Sequence, residues 1–470
     1  MGNRQQAMAF HDQAVKNVAD KSNAQHLTSA YQLFSSACLT DPTWHHAWYQ
    51  AGNNASDLNL LEASVACWRI AVDTARTDEE KAKTLVNLSW RLHSLCRSHE
   101  AVEAGNEAVR IMPSLTLGYI NLALIHSLLC NHETMMQAAL KGFEMEPDNS
   151  NAEAALSFAY LFNGNYELGF KHFECRFKWR LHQFLQYPYP KWSGEPGKTV
   201  AVFADQGLGD TLSFARFVER AAKRAKFLHL YIQPALYWQF HDAFLHLKNI
   251  NLLPAPQQFP AADYWTTFVS LPFALGLTNT EVQGQAQIRP SLRPISSAWK
   301  VPDKKLHIGI AWSGSALNDI NKFRNIPVTQ FFELYRVPGV QLYSLQKDEN
   351  NKEMHEQGGA PLIRDLTPFI NDVVDTVSLM QHLDMIICCE SALGHIAALA
   401  GKECWIPYSY GGRDYRIGLA GEHLMWTPKH RIFRQQYGET WAPVFEKIIE
   451  ALREKIHASD IETGKRASAA

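Results

Sequence analysis

Through the first 180 residues apolar positions recur at helical spacing, and prolines punctuate them. Pro113 and Pro147 stand 34 residues apart, and Pro42 stands 71 before Pro113, which is two such periods plus a short insertion. Between the prolines the chain reads helix, turn, helix. In the last unit Leu156, Tyr160, Gly164, Tyr166, Gly169 and Phe173 supply large residues, a turn glycine and a small residue where two helices must cross. Ala30, Ala63 and Ala101 occupy the matching place in earlier units, and Met135 departs from it. Thr77 to Glu80 is expected to be the inserted loop of the second unit. One helix pair cannot bury its apolar face alone, so four or five units stacked into an array are predicted between about residues 5 and 180.

The pattern changes after Tyr187-Pro188-Tyr189-Pro190-Lys191-Trp192-Ser193-Gly194-Glu195-Pro196, a connector rich in proline and aromatic residues. Strands and helices then alternate. Thr199 to Ala204, Phe227 to Ile232 and Phe268 to Leu271 are predicted strands. A second connector, Arg289 to Pro302, precedes a new series at Leu306 to Trp312, Val340 to Leu345, Met385 to Cys389 and Glu403 to Ile406. This alternation predicts two doubly wound α/β halves with parallel sheets. The expected divisions are residues 1–180 for the helical array, 181–300 and 301–450 for the two halves, and 451–470 for a C-terminal tail.

Composition narrows the class. The chain has 470 residues, 46% hydrophobic and 20% charged, with a formal net charge of −2, so no polyanionic partner and no nucleic acid is expected. The basic stretch Lys171-His172 to Lys178-Trp179-Arg180 reads as the solvated face of a helix. Eight scattered cysteines form no C-x-x-C pair, which argues against a disulfide framework or a zinc site. Met1 to Gln6 lacks the apolar core of a secretory signal, and no run is long and apolar enough to span a bilayer. A cytoplasmic protein is the expectation.

The turn Asp205-Gln206-Gly207-Leu208-Gly209-Asp210 lies between the first predicted strand and an amphipathic helix carrying Leu212, Phe214, Ala215, Phe217 and Val218. Glycine-rich turns at the C-terminal ends of parallel strands are where α/β sheets bring backbone and helix N–H groups to a ligand. Asp210 there is either a helix N-cap or a carboxylate aimed into the crevice. In the second half Glu390-Ser391-Ala392-Leu393-Gly394-His395 follows a strand and opens a helix of small residues, Ile396-Ala397-Ala398-Leu399-Ala400-Gly401.

The 34-residue period and its residue order resemble the tetratricopeptide repeat. The two halves resemble the GT-B architecture of glycosyltransferases. Glu390 to Lys402 resembles the nucleotide-sugar segment of the heptosyltransferase-like glycosyltransferases, family 9, where the pattern is Asp-(Thr/Ser)-(Gly/Ala)-x-x-His. Glu390 stands where that family commonly has Asp. Gly207-Leu208-Gly209-Asp210 resembles the family's first-half turn, whose aspartate is the general base. Trp312-Ser313-Gly314, Asn318-Asp319 and Arg324-Asn325-Ile326-Pro327 resemble the segment that sets a cation, here Arg324, beside the donor phosphates. Asp414-Tyr415-Arg416 and Phe433-Arg434-Gln435 resemble late motifs of the branch fused to such repeats; structural ion pairing is the alternative for them. The likeness runs over about residues 26 to 450, in the same domain order.

The resemblance implies an inverting, metal-independent transfer of a sugar from a nucleoside-diphosphate donor, without any other cofactor. Asp210 is then the catalytic base. Gly207, Gly209, Ser313, Gly314, Arg324, Glu390, Ser391, Gly394 and His395 are the expected donor and phosphate contacts, with Gln206, Asp414 and Arg416 as further candidates. Repeats of this type usually hold peptides in a concave groove, so the expected acceptor is a polypeptide. The alternatives are a saccharide or lipid-linked glycan acceptor, or a non-catalytic interaction protein with a degenerate transferase domain.

Overall fold

The computed structural model describes residues 2–18, 24–179, 187–254, 261–314, 321–412, 414–424 and 426–469. The chain divides into two compact units, Met1–Tyr160 and Leu161–Ala470.

The first unit is a helical repeat array. α1 (Gly2–Val18) packs on α2 (Ala24–Thr40), α3 (His45–Asp57) on α4 (Leu61–Thr74), α5 (Asp78–Ser94) on α6 (Ser98–Ile111), and α7 (Thr116–Leu128) on α8 (His132–Met145). Each pair also packs on the next, so the pairs stack as the period requires. Small residues let the helices approach. A Cβ on Gly52 would strike the Trp68 ring, and Ala30 and Ala101 are fully buried. In the second pair that place belongs to Ser64, fully buried, rather than the partly exposed Ala63. The three-residue insertion lies after it. Thr77 to Glu80 is not the inserted loop: Thr77 is the N-cap of α5, and Glu80 closes a capping box with it.

α9 (Ser150–Phe162) crosses the division between the units, and α10 (Tyr166–Phe173) belongs to the second. There α10 is a structural part of the α/β region. Its Tyr166 and Phe170 rings pack edge-on or tilted against Trp426, and Phe170 also meets Phe214 and Tyr415.

The second unit contains two sheets. The first has the order β3-β2-β1-β4, all parallel: β1 (Thr199–Phe203), β2 (Phe227–Ile232), β3 (Ile250–Pro254) and β4 (Tyr264–Thr267). The strand expected at Phe268 to Leu271 sits earlier, because the Thr267 side chain accepts from Ser270 N–H and turns the chain into a 3-10 helix. The second sheet has the order β10-β11-β9-β8-β5-β6-β7. Its strands are β5 (Leu306–Ala311), β6 (Val340–Ser344), β7 (Ile363–Asp365), β8 (Met385–Cys388), β9 (Cys404–Tyr408), β10 (His423–Leu424) and β11 (Thr427–Arg434). Only β10 runs antiparallel to its neighbour. Residues 451–470, set apart above as a tail, largely continue the helix Ala442–Ala469, whose Val444, Phe445, Ile448 and Leu452 fill the core of this half.

In each sheet the chain begins at a central strand and builds outward in both directions. The order therefore reverses beside β1 in the first sheet and between β5 and β8 in the second. Open parallel sheets leave a crevice at such points, outside the C-terminal strand ends. The turn after β1 carries Asp205 to Asp210, the loop after β5 carries Ser313 and Gly314, and the turn after β8 carries Glu390 and Ser391.

Candidate functional site

Asp210 occupies the third position of the helix Leu208–Phe214. The N-cap is Gly207, and Asp210 Oδ2 accepts the Gly207 N–H at 3.1 Å. The capping role considered for Asp210 is thus filled from inside the helix, through one carboxylate oxygen. The other oxygen, Oδ1, lies 2.9 Å from Arg416 Nη1 of the second half. Protein surrounds the group on most sides, yet its side chain keeps 29% exposure. Burial pushes its pKa up, Asp414 and Asp205 add to this, and Arg416 with the Gly207 N–H opposes it.

The two helix N-termini meet over Gly209. A Cβ there would lie 2.7 Å from His395 Cδ2 and 3.2 Å from Ala392 Cα, so only glycine allows the first-half turn to seat on the helix Ala392–Leu399. Ser391 is the N-cap of that helix, without a side-chain cap bond. His430 Nε2 bonds the Gly394 carbonyl at 2.8 Å and pins the first turn. His395 Nε2 stands 3.9 Å from Asp414 Oδ2. Burial, reinforced by the neighbouring Arg416, depresses the His395 pKa to about 3, so the ring is neutral at physiological pH.

The loop after β5 is held from two sides. Gln346 Oε1 accepts the Trp312 and Ser313 N–H groups, both at 3.0 Å, and Asn325 Oδ1 accepts from Ser313 Oγ at 3.0 Å. Arg324 is buried at 9% exposure. Asn318 and Asp319 lie outside the described residues. Arg324 Nε donates to Asn321 Oδ1 at 3.1 Å, and its guanidinium lies under Gly314, where a Cβ would meet Cζ at 2.7 Å. Beside this loop a cavity of about 470 Å³ is lined by Ser313, Gly314, Gln346, Lys347, Ser391 and Ala392, among others. Its volume suits a nucleoside-sized ligand. Glu390 is buried next to Ser391. Gln206 contributes its main-chain oxygen, which accepts from Gln233 Nε2 at 3.3 Å.

The structure therefore brings Gly207, Gly209, Asp210, His395, Asp414 and Arg416 into one cluster. Ser313, Gly314 and Ser391 line the cavity, and Arg324 lies beneath Gly314. Arg434 is occupied elsewhere, donating to the carbonyls of Ile417, Gly418, Ala420 and Gly421 as the staple of a loop.

Two arginines escape the sequence reading. Arg176, inside the stretch expected to be a solvated face, is buried and binds Asp205 Oδ2 at 3.0 Å, Thr267 Oγ1 at 2.9 Å and Ser270 Oγ at 2.6 Å. It fixes the start of the glycine turn. Arg216 is buried against Trp426 and donates to the Gln285 and Trp426 carbonyls, tying the first half to the second. A lone cation within an apolar run, as between Ala215 and Phe217, was the signal available for it.

Comparison with protein-family models and with curated proteins returned no match. Among solved structures the chain is similar to MamA (16% identity, TM-score 0.33, covering 40% of this chain and 97% of that one). It is also similar to YrrB, described as a TPR protein with an unusual peptide-binding site (14%, TM-score 0.31, 38% and 89%). A third is PilF of Pseudomonas aeruginosa (14%, TM-score 0.32, 37% and 77%). Likenesses this partial add nothing to the helix pairing described above. Among the described residues no helix is long and apolar enough to cross a membrane, and no group of three or more His, Cys, Asp or Glu side chains is placed to hold a metal ion.

Proposed function

We propose that the second unit is an inverting, metal-independent glycosyltransferase of the GT-B type, and that the tetratricopeptide-like array recruits its polypeptide acceptor. One observation carries most of the reading. The Gly-Asp turn of one doubly wound half seats directly on the Gly-His helix N-terminus of the other, each beside the strand-order reversal of its own sheet. The nucleoside occupies the cavity beside Ser313 and Gly314. The diphosphate lies along the N–H groups at Ser391 to His395, with Arg324 as its cation. A neutral His395 donates a hydrogen bond there without pairing a charge.

In the transfer, the acceptor oxygen bonds to the anomeric carbon from the face opposite the diphosphate. The bond from that carbon to the diphosphate oxygen breaks, and its electron pair leaves with the nucleoside diphosphate. Asp210 takes the acceptor proton, a task suited to a carboxylate with a raised pKa and partial exposure. Fixed cationic and N–H donors stabilise the leaving group.

The test is a thermal-shift screen of ADP, UDP, GDP and CMP, with and without magnesium, followed by transfer assays on lysate protein. The nucleotide that fits raises Tm by mass action. Asp210→Asn should keep that shift and lose transfer, whereas His395→Ala and Arg324→Ala should reduce the shift. Normal transfer by Asp210→Asn removes the base assignment, and full shifts in the other two variants place the donor elsewhere.

A further inference from the structure

Asp414-Tyr415-Arg416 takes no part in the transfer set out above, yet it touches the carboxylate that does. Arg416 is 7% exposed. Asp414 grips it edge to edge, Oδ1 accepting from Nε at 2.7 Å and Oδ2 from Nη2 at 2.8 Å, and Oδ1 also accepts the Arg416 main-chain N–H at 2.9 Å. That bidentate grip fixes the plane of the guanidinium. Its remaining corner, Nη1, stands 2.9 Å from Asp210 Oδ1 without completing a hydrogen bond. The contact is therefore mainly one of charge on charge, and Oδ1 keeps its directional acceptor capacity for a hydroxyl. Tyr415, between Asp414 and Arg416 in the chain, packs edge-on against the Phe170 and Phe173 rings, 6.2 and 6.5 Å away between centroids. With Oδ2 held by Gly207 and Oδ1 facing Arg416, the Asp210 carboxylate has one orientation.

Resting on the transferase reading, we propose that Arg416 is the positioning residue of the base, keeping Asp210 charged and aimed within the cleft, with Asp414 as the anchor that holds Arg416 there. The charged and titratable groups facing Asp210 are Arg416, Asp414 and Tyr415 from the second half and Asp205 from its own turn. Arg176 already engages Asp205, and His395 stands behind Asp414. Among the described residues Arg416 is thus the cation whose free corner, Nη1, faces the Asp210 carboxylate. When the acceptor proton reaches Asp210 Oδ1, Arg416 loses its second counter-charge just as negative charge builds on the departing diphosphate. Its field then favours the step that produces both changes.

The experiment uses the full chain as wild type, Arg416→Gln, Arg416→Lys and Asp414→Asn, with Asp210→Asn identifying the Asp210 signal in a ¹³Cγ-aspartate titration. The pH profile of transfer and the nucleotide thermal shift are measured alongside. In Arg416→Gln the Asp210 titration and the acidic limb of kcat/KM should both move up by about 1–3 pH units, the effect of losing a cation at this range. The nucleotide shift should persist, kcat should fall more than KM rises, and Arg416→Lys should recover part of the displacement. Asp414→Asn should move the limb in the same direction by less. A lowered Tm with an unmoved Asp210 titration and acidic limb, in either Arg416→Gln or Asp414→Asn, overturns the proposal. A wild-type chain that transfers nothing while Asp210 still titrates higher in Arg416→Gln supports the charge coupling and removes the reaction, so the two failures are told apart.

Discussion

Cutting the chain at residue 180, the point where the helical pattern ends in the sequence, is expected to ruin the α/β region. Cutting at Asn149 is expected to spare it. The first cut removes Tyr166, Phe170 and Phe173, all buried against Phe214, Tyr415 and Trp426. Each ring contributes about 1.5–3 kcal/mol by burial, and ring pairing adds about 0.5–1.5 kcal/mol. The same cut removes Arg176 and breaks its buried ion pair with Asp205, which adds to the loss. Together these match or exceed the whole stability of a typical domain, about 5–15 kcal/mol. Size-exclusion chromatography and thermal melting of residues 149–470 and 181–470 provide the assay. The longer piece should be monodisperse with a cooperative melt; the shorter should aggregate or melt without cooperativity. Equal melting temperatures would refute the assignment of α10 to the α/β core. Any test of the acceptor recruitment proposed for the repeats should therefore remove residues before Ser150 only.

Three further outcomes follow from the site. His395 has a folded-state pKa of about 3 against an ordinary 6.5, so the unfolded chain binds a proton in that window and the folded chain does not. Its contribution to stability is complete above about pH 6.5 and falls with pH toward 3, by about 1.4 kcal/mol per pH unit; urea titrations at pH 7 and 5 should show a shallower loss in His395→Gln, and parallel losses would contradict the buried neutral ring. Gly209→Ala places a methyl 3.2 Å from Ala392 Cα, a backbone atom that cannot swing aside, so a loss of about 1–3 kcal/mol is expected in urea unfolding, and wild-type stability would show that the two halves do not meet there. Gly314→Ala meets the flexible end of Arg324 instead, so stability should change by under about 1 kcal/mol while nucleotide affinity falls about tenfold or more, about 1.4 kcal/mol by titration calorimetry; unchanged affinity would separate Arg324 from the donor.

Continuous apolar, β-branched runs made β1, β5 and β8 readable, because strands buried on both faces need them, and β2, β6 and β9 were readable from largely apolar runs. β3 hid behind Asn251 and Pro254, as an edge strand that is nowhere fully buried. β4 was displaced although Tyr264-Trp265-Thr266-Thr267 favour a strand, because the run at Phe268 to Leu271 is the more apolar. β11 hid among the charged and polar residues Lys429, His430, Arg431 and Arg434, which break an apolar run; two of these serve as a latch on Gly394 and a staple on Gly418. The glycine turns were visible because close approach requires glycine. The Asp210–Arg416 pairing was not, since nothing in the sequence brings residues so far apart to 2.9 Å.

The place of α10 also orders events during synthesis. Tyr166 and Phe170 leave the ribosome early, but Tyr415 and Trp426, which cover them, follow some 250 residues later. At about 5–20 residues per second, the faces that Tyr415 and Trp426 cover wait roughly 10–50 s, although Phe214 reaches Phe170 sooner. The repeat pairs before them, built from neighbouring segments, can close meanwhile. A nascent chain of this protein is therefore most exposed to misassociation at a single helix in its first half, and that helix is where a holdase would act.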